Sequence, residues 1–168
     1  NINDDTFEDL SSWVIHDHWN VLQNVNANNP LYTQYCVDKP NKNEGVVCEN
    51  LPPPCSILRA GNFIITSDCV MYYEIVVTGK LNVTGVPNAD GVLPKLIGAG
   101  HNRLFKVESG GELVVKSLNL TGGVASGGKG GAIWVNDGNL TLLNSILTGN
   151  EARYGGAIHH DAGSSIYL

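Results

Sequence analysis

One tetrapeptide that occurs twice constrains the fold of this 168-residue chain more than any other feature. The sequence GGAI stands at residues 130–133 and again at residues 155–158, and Leu113 corresponds to Leu140 at a spacing of 27. Further pairs at that spacing are Val115 with Leu142, Ser117 with Asn144, Leu120 with Leu147 and Gly123 with Asn150. Matches at a nearly fixed period of this size are typical of solenoids and other repeat architectures.

We therefore predict an all-β protein, a right-handed parallel β-helix whose coils are about 25–32 residues long, each with three short strands and three turns. A degenerate earlier copy runs through Leu81, and a last copy begins at Asp161. Alternation along a strand predicts that Leu140 points inward and Thr141 outward. A β-sandwich is the structural alternative, but it would not by itself produce matches at one period.

The part of the chain before the coils, residues 1–60, has a different texture. Apolar residues at three- and four-residue steps predict an amphipathic helix over residues 1–29, and residues 30–60 are aperiodic and rich in proline and cysteine. We predict two regions: an N-terminal helix with a cysteine- and proline-rich cap at 1–60, and β-helix coils at 61–168. Because the last copy stops in mid-coil, we expect the coils to continue beyond residue 168 or another subunit to stack there.

All four cysteines, Cys36, Cys48, Cys55 and Cys69, lie close together in the sequence, and none of them forms a CxxC pair. Zinc sites usually take two ligands from one tight turn, so this spacing favours two disulfides. Three pairings are possible, and four free thiols are the alternative. Disulfides indicate an oxidising, extracellular location.

Charge and composition exclude some functions. The formal net charge is −6, and the ten basic residues form no extended basic patch, which argues against nucleic acid as a partner. No apolar run in the sequence approaches the length of a membrane span.

Exposed positions of the predicted strands supply the candidate sites. Asn82, Asn119 and Asn139 each begin an N-x-T sequon and are candidate glycosylation sites, although an outward Asn/Thr ladder without sugar is the alternative. Trp134 and Tyr167 are predicted to point outward, where they are candidates for binding a glycan or a protein.

We found no catalytic constellation in the sequence. Asp137 and Asp161 both fall at the turn before a matched glycine and are expected near each other, but aspartates at such positions usually form turns. A lyase would pair a basic residue with acids, and Arg103 and Lys106 have no acidic cluster beside them in the sequence.

The sequence gives as little evidence for a metal site as for a catalytic one. His159 and His160 are neighbours on a predicted strand and point to opposite faces, so they are not expected to share an ion. We predict no metal, no cofactor and no enzymatic activity in this segment.

The segment Asn150-x-Ala152-x-x-GGAI resembles the repeat of chlamydial polymorphic membrane proteins and similar β-helix repeats in secreted proteins of algae and other microbial eukaryotes. That family pairs GGAI with FxxN, and residues 147–150 carry leucine in place of phenylalanine. The match covers about two and a half coils, roughly a third of the chain. The resemblance implies an extracellular or cell-surface solenoid of structural or adhesive role, and it implies no activity.

We accordingly expect an extracellular structural or adhesive module of a cell-surface protein or filament subunit, partnered by protein or glycan. The alternative is the first part of a pectin-lyase-like polysaccharide lyase or hydrolase whose catalytic coils lie beyond residue 168.

Overall fold

The computed structural model describes residues 36–38, 46–48 and 52–168. These residues contain β-strands and no helix, and the helix predicted for residues 1–29 lies outside them. No helix long and apolar enough to span a membrane occurs in this part of the chain.

Parallel strands form three faces that the chain visits in turn. Face 1 contains β3 (Gly61–Ile65), β6 (Lys80–Gly85), β9 (Glu112–Lys116), β13 (Asn139–Leu143) and β17 (Ser165–Tyr167). Face 2 contains β4 (Cys69–Met71), β7 (Lys95–Gly98), β10 (Asn119–Thr121) and β14 (Ile146–Thr148). Face 3 contains β5 (Ile75–Val77), β8 (Phe105–Val107), β12 (Ile133–Val135) and β16 (Ile158–His160). Between faces 2 and 3, β11 (Val124–Lys129) pairs with β15 (Glu151–Tyr154).

Four successive coils stack in a register that follows the sequence repeat. Leu81 pairs with Leu113 and Leu113 pairs with Leu140, so both steps fall within the predicted range of coil lengths. Ile133 pairs with Ile158, which places the two GGAI copies one above the other. The predicted parallel β-helix is therefore confirmed, while its right-handed sense stays a prediction. The first coil is shorter than predicted, because Gly61 already pairs with Leu81.

Ladders of aliphatic side chains fill the interior. On face 1 Leu81 and Leu113 have no exposed surface and Leu140 is 1% exposed. Phe105 and Ile133 form an equally buried step on face 3. Full burial of such side chains contributes about 1.5–3 kcal/mol each, which makes the stacked interior the main source of stability.

Turn positions recur with the coils as well. Ser117 and Asn144, which directly follow register-paired strand ends on face 1, both have left-handed backbones, with φ of 53° and 48°. Asn150 joins two coils: its amide nitrogen donates to the Leu120 carbonyl and its oxygen accepts from the Gly123 amide, each at 2.9 Å. Left-handed bends therefore recur at equivalent positions, and an asparagine side chain bonds one coil to the next.

A disulfide between Cys55 and Cys69 links the segment that precedes the first coil to β4, the first strand of face 2. Beside it, the Cys55 amide donates to the Val70 carbonyl, and the Val70 amide donates to the Pro53 carbonyl. One predicted disulfide is therefore confirmed, and it holds the segment before the first coil against that coil.

The region predicted to be aperiodic contains an antiparallel pair of strands, β1 (Cys36–Asp38) and β2 (Val46–Cys48). These strands gave no signal in the sequence, because each has three residues, which are too few to show an alternation of apolar and polar side chains. In the register of this pair, Cys36 lies opposite Cys48.

We predict that replacing Gly111 by alanine destabilises the protein more than replacing Gly79, which occupies the same position one coil earlier. A Cβ at Gly111 would overlap the Val77 carbonyl oxygen, whereas a Cβ at Gly79 would meet nothing within 4 Å. Overpacking costs roughly 1–3 kcal/mol, so urea unfolding of Gly111→Ala should show a loss of that size and Gly79→Ala almost none. Equal losses in both variants would contradict the stacked geometry.

We also predict a second disulfide between Cys36 and Cys48, because the Cys55–Cys69 bond leaves these two and the strand register sets them opposite each other. Non-reducing peptide mapping by mass spectrometry should recover one peptide pair that contains residues 36 and 48. Recovery of either cysteine in a free or a mixed form would disprove this pairing.

Candidate functional site

A column of outward side chains crosses the coils on face 3. Each strand of this face presents its middle residue outward, and the register aligns Val76, Lys106, Trp134 and His159. Successive members are separated by the inter-strand spacing of about 4.8 Å. The structure thus confirms that Trp134 points outward, and it places a lysine and a histidine on either side of the ring.

Three cations surround the Trp134 ring. The Lys106 ammonium lies 4.6 Å from the ring centroid, the Arg103 guanidinium 4.9 Å and the Lys129 ammonium 5.3 Å. Each such contact contributes about 0.5–1 kcal/mol at an exposed site and more when water is excluded. The indole is therefore half-buried by charged side chains.

The Asp161 carboxylate joins the Trp134 indole to Lys129 and His159. Its Oδ2 accepts from the Trp134 indole N–H at 2.8 Å, and its Oδ1 lies 2.6 Å from the Lys129 ammonium and 3.3 Å from His159 Nε2. These donors, with Lys129 first, lower the pKa of Asp161 from 3.8 to about 2. Asp161 is therefore an ionised anchor between coils.

Arg103 is fixed from three directions. Its Nε donates to the carbonyl oxygens of Lys129 and Gly130, both at 2.9 Å, and its Nη1 donates to Glu74 at 2.5 Å. Only 11% of the side chain is exposed. Because the guanidinium is locked by backbone and carboxylate, its position beside Trp134 is set before any ligand arrives.

We call these residues the Trp134 cluster: Glu74, Arg103, Lys106, Glu108, Lys129, Trp134, His159 and Asp161. Each cation has its own carboxylate, since Lys106 lies 2.7 Å from Glu108 in addition to the pairs described above. The cluster spans all four coils and carries no large net charge. It therefore offers an aromatic ring with ordered hydrogen-bonding groups rather than a strong electrostatic field.

A cavity of about 370 Å³ with a mixed polar and apolar lining opens beside the Trp134 cluster. We call it the Arg103 cavity; six residues of its lining are Glu74, Asn102, Arg103, Val124, Ala125 and Gly128. Asn102 Nδ2 donates to the Arg103 carbonyl, but the buried Asn102 Oδ1 has no hydrogen-bond partner among the described residues. A second cavity, of about 350 Å³, lies near the disulfide and has a mainly apolar lining, so it offers few groups for recognition or chemistry.

The two aromatic candidates lie on different faces. Tyr167 points outward as predicted and is 66% exposed, but it belongs to face 1, where it aligns with Thr141. Tyr167 is therefore no part of the Trp134 cluster, and the two residues do not form one binding surface.

All three sequon asparagines lie on strands. Asn139 is exposed, whereas Asn82 donates to the Asn62 side chain at 2.6 Å and Asn119 accepts from Thr148 at 3.4 Å. Asn139 is thus the most accessible of the three, and glycosylation at each stays a prediction.

The other residues considered for catalysis or metal binding are Asp137, Asp161 and His159. Asp137 is exposed in a left-handed turn, with φ of 60°, while Asp161 belongs to the Trp134 cluster. His159 contacts Asp161, and among the described residues no three His, Cys, Asp or Glu side chains are grouped to hold a metal ion.

Sequence reasoning missed the acidic partners of the cations. Arg103 and Lys106 were expected to lack them, yet Glu74 and Glu108 lie against them. The Glu108 partner had a local signal, because residues two apart on a strand lie on the same side. Glu74 had none: it lies 29 residues before Arg103, about one coil, but in a part of the chain where the repeat is degenerate.

A scan of family models finds no match to this chain, and comparisons with curated proteins and with solved structures find none either.

We predict that Asp161→Asn removes an acid-sensitive part of the stability. The lowered pKa of Asp161, about 2 against 3.8, makes its contribution complete above about pH 4 and lost as the pH falls toward 2. Urea midpoints should therefore be higher for the wild type at pH 7, with the difference shrinking between pH 4 and pH 2. A difference that is constant over this range would show that the carboxylate does not hold the cluster.

Proposed function

We propose that this chain is an extracellular structural or adhesive β-solenoid module of a cell-surface protein or filament subunit, and that it is not an enzyme. The observation that carries the proposal is the Trp134 cluster, an outward aromatic residue held in place by charged partners from three coils. Such a preorganised surface on a rigid scaffold suits recognition, because little ordering is required on binding.

The chemistry of the cluster supports binding over catalysis. A general acid near neutral pH needs a raised pKa, and the pKa of Asp161 is lowered to about 2. Each cation of the Trp134 cluster is paired with a carboxylate, so these side chains hold the cluster together. These features favour an adhesive module over the polysaccharide lyase or hydrolase that we weighed as the alternative.

An extracellular setting is supported by the Cys55–Cys69 disulfide, since such bonds persist in oxidising compartments. An accessible asparagine in the sequon at Asn139 is compatible with the same setting.

A structural role is supported by the stacking itself. Leu113, Leu120 and Ile133 are fully buried between neighbouring coils. Stacked coils with a continuous core of this kind form a rigid scaffold, which suits a structural module.

We predict that the native protein is labelled on intact source cells by a membrane-impermeant amine-reactive biotin reagent. An antibody against residues 52–168 would identify the labelled band, and a cytosolic enzyme of the same cells would serve as the control for leakage. Labelling that appears only after lysis would refute the extracellular assignment. Release of reducing or unsaturated sugars from polysaccharides by the purified protein would refute the non-enzymatic one.

A further inference from the structure

We propose that the Arg103 cavity binds one neutral sugar residue of a glycan. This deepens the proposed adhesive function and rests on it. The cavity volume of about 370 Å³ lies at the lower end of the range of small-molecule sites, about 300–1,000 Å³, so it suits a single ring rather than an extended chain.

Arg103 supplies an unused donor group at the cavity. Its Nε and Nη1 are occupied by two carbonyl oxygens and Glu74, but Nη2 makes no hydrogen bond among the described residues. Nη2 lies 3.6 Å from the position that a Cβ on Gly128 would take, and both residues line the cavity. A ligand hydroxyl there would accept a hydrogen bond from a guanidinium that is already fixed.

The lining of the Arg103 cavity also contains acceptor residues. Glu74 receives Arg103 through Oε2, and its side chain is 28% exposed, which leaves Oε1 for a second donor. Asn102 adds a carboxamide oxygen that is buried without a partner among the described residues. A vicinal diol matches a guanidinium beside a carboxylate, because one hydroxyl accepts from the N–H group while the other donates to the oxygen.

The charge balance selects neutral ligands over anions. Arg103, the cation of the cavity, is paired with Glu74 at 2.5 Å, and the adjacent Lys129 is paired with Asp161 at 2.6 Å. A sulfate, phosphate or uronate would have to displace a carboxylate or lie against it. The lining also contains His101 and Ser126. Val124 and Ala125 add apolar atoms, which suit the C–H groups of a sugar ring.

Gly128→Leu tests the site by filling it. A Cβ at Gly128 would meet its nearest atoms at 3.5–3.6 Å, which is ordinary contact, so the fold should tolerate the change while the rest of the side chain occupies the cavity. Gly79→Leu is the matched control, because a Cβ there meets nothing within 4 Å and Gly79 is absent from the lining of the Arg103 cavity.

The probe is a glycan array that carries neutral and anionic oligosaccharides, followed by calorimetric titration of the best neutral ligand. We expect wild type and Gly79→Leu to bind it equally and Gly128→Leu to lose at least about tenfold in affinity, which corresponds to about 1.4 kcal/mol. Melting temperatures of the three proteins should agree closely, which excludes unfolding as the cause. Arg103→Lys, which keeps the charge but removes the Nη2 donor, should also weaken binding.

Absence of neutral-glycan binding, binding restricted to anionic glycans, or undiminished binding by Gly128→Leu would each overturn this proposal. Surface labelling of intact cells separates its failure from that of the proposed function: a labelled protein without glycan binding loses only the sugar site, whereas an intracellular protein loses both.

Discussion

The parallel hydrogen-bond ladder between coils is the interaction on which the rest of this structure depends. It fixes which residue lies above which, and a register slip by a single position would send Leu113 and Leu140 out of the interior. In register, the ladder stacks buried aliphatic side chains into a continuous core and aligns the left-handed turns. The close backbone approach at Gly111, where a Cβ would overlap a carbonyl oxygen of the coil before it, is a consequence of the same stacking.

The ladder also assembles the outer surface. Lys106, Trp134 and His159 are distant in sequence, yet the register sets them in one column on face 3. Arg103 and Asp161, which lie between strands, and Lys129, at the end of β11, also contact the ring. Because these partners come from three coils, the Trp134 cluster both stabilises the stack and presents an ordered surface. Scaffold and candidate site are therefore not separable: the acid titration of Asp161 is expected to loosen both.

The repeat made the coil architecture predictable, because GGAI and the Leu113–Leu140 match report directly on register. Outward placement of Trp134 and Tyr167 followed from strand alternation. The partners that make up the Trp134 cluster were harder to predict from the sequence. Glu74 and Arg103 are 29 residues apart, which is about one coil, but the earliest copy of the repeat is degenerate and gives no residue match on face 3 from which this pair could be inferred. The strands at Cys36–Asp38 and Val46–Cys48 were missed because they are too short to show a period.

The most direct test of the account is the pattern of backbone nuclear Overhauser contacts in the folded protein in solution. Parallel stacking predicts inter-strand contacts between the backbones of Leu113 and Leu140, of Leu140 and Ile166, and of Ile133 and Ile158. Short contacts between α-protons of opposed residues, the signature of antiparallel pairing, should be absent from residues 61–168. Their presence there, together with loss of the predicted pairs, would favour a β-sandwich and contradict both the stacked coils and the surface built on them.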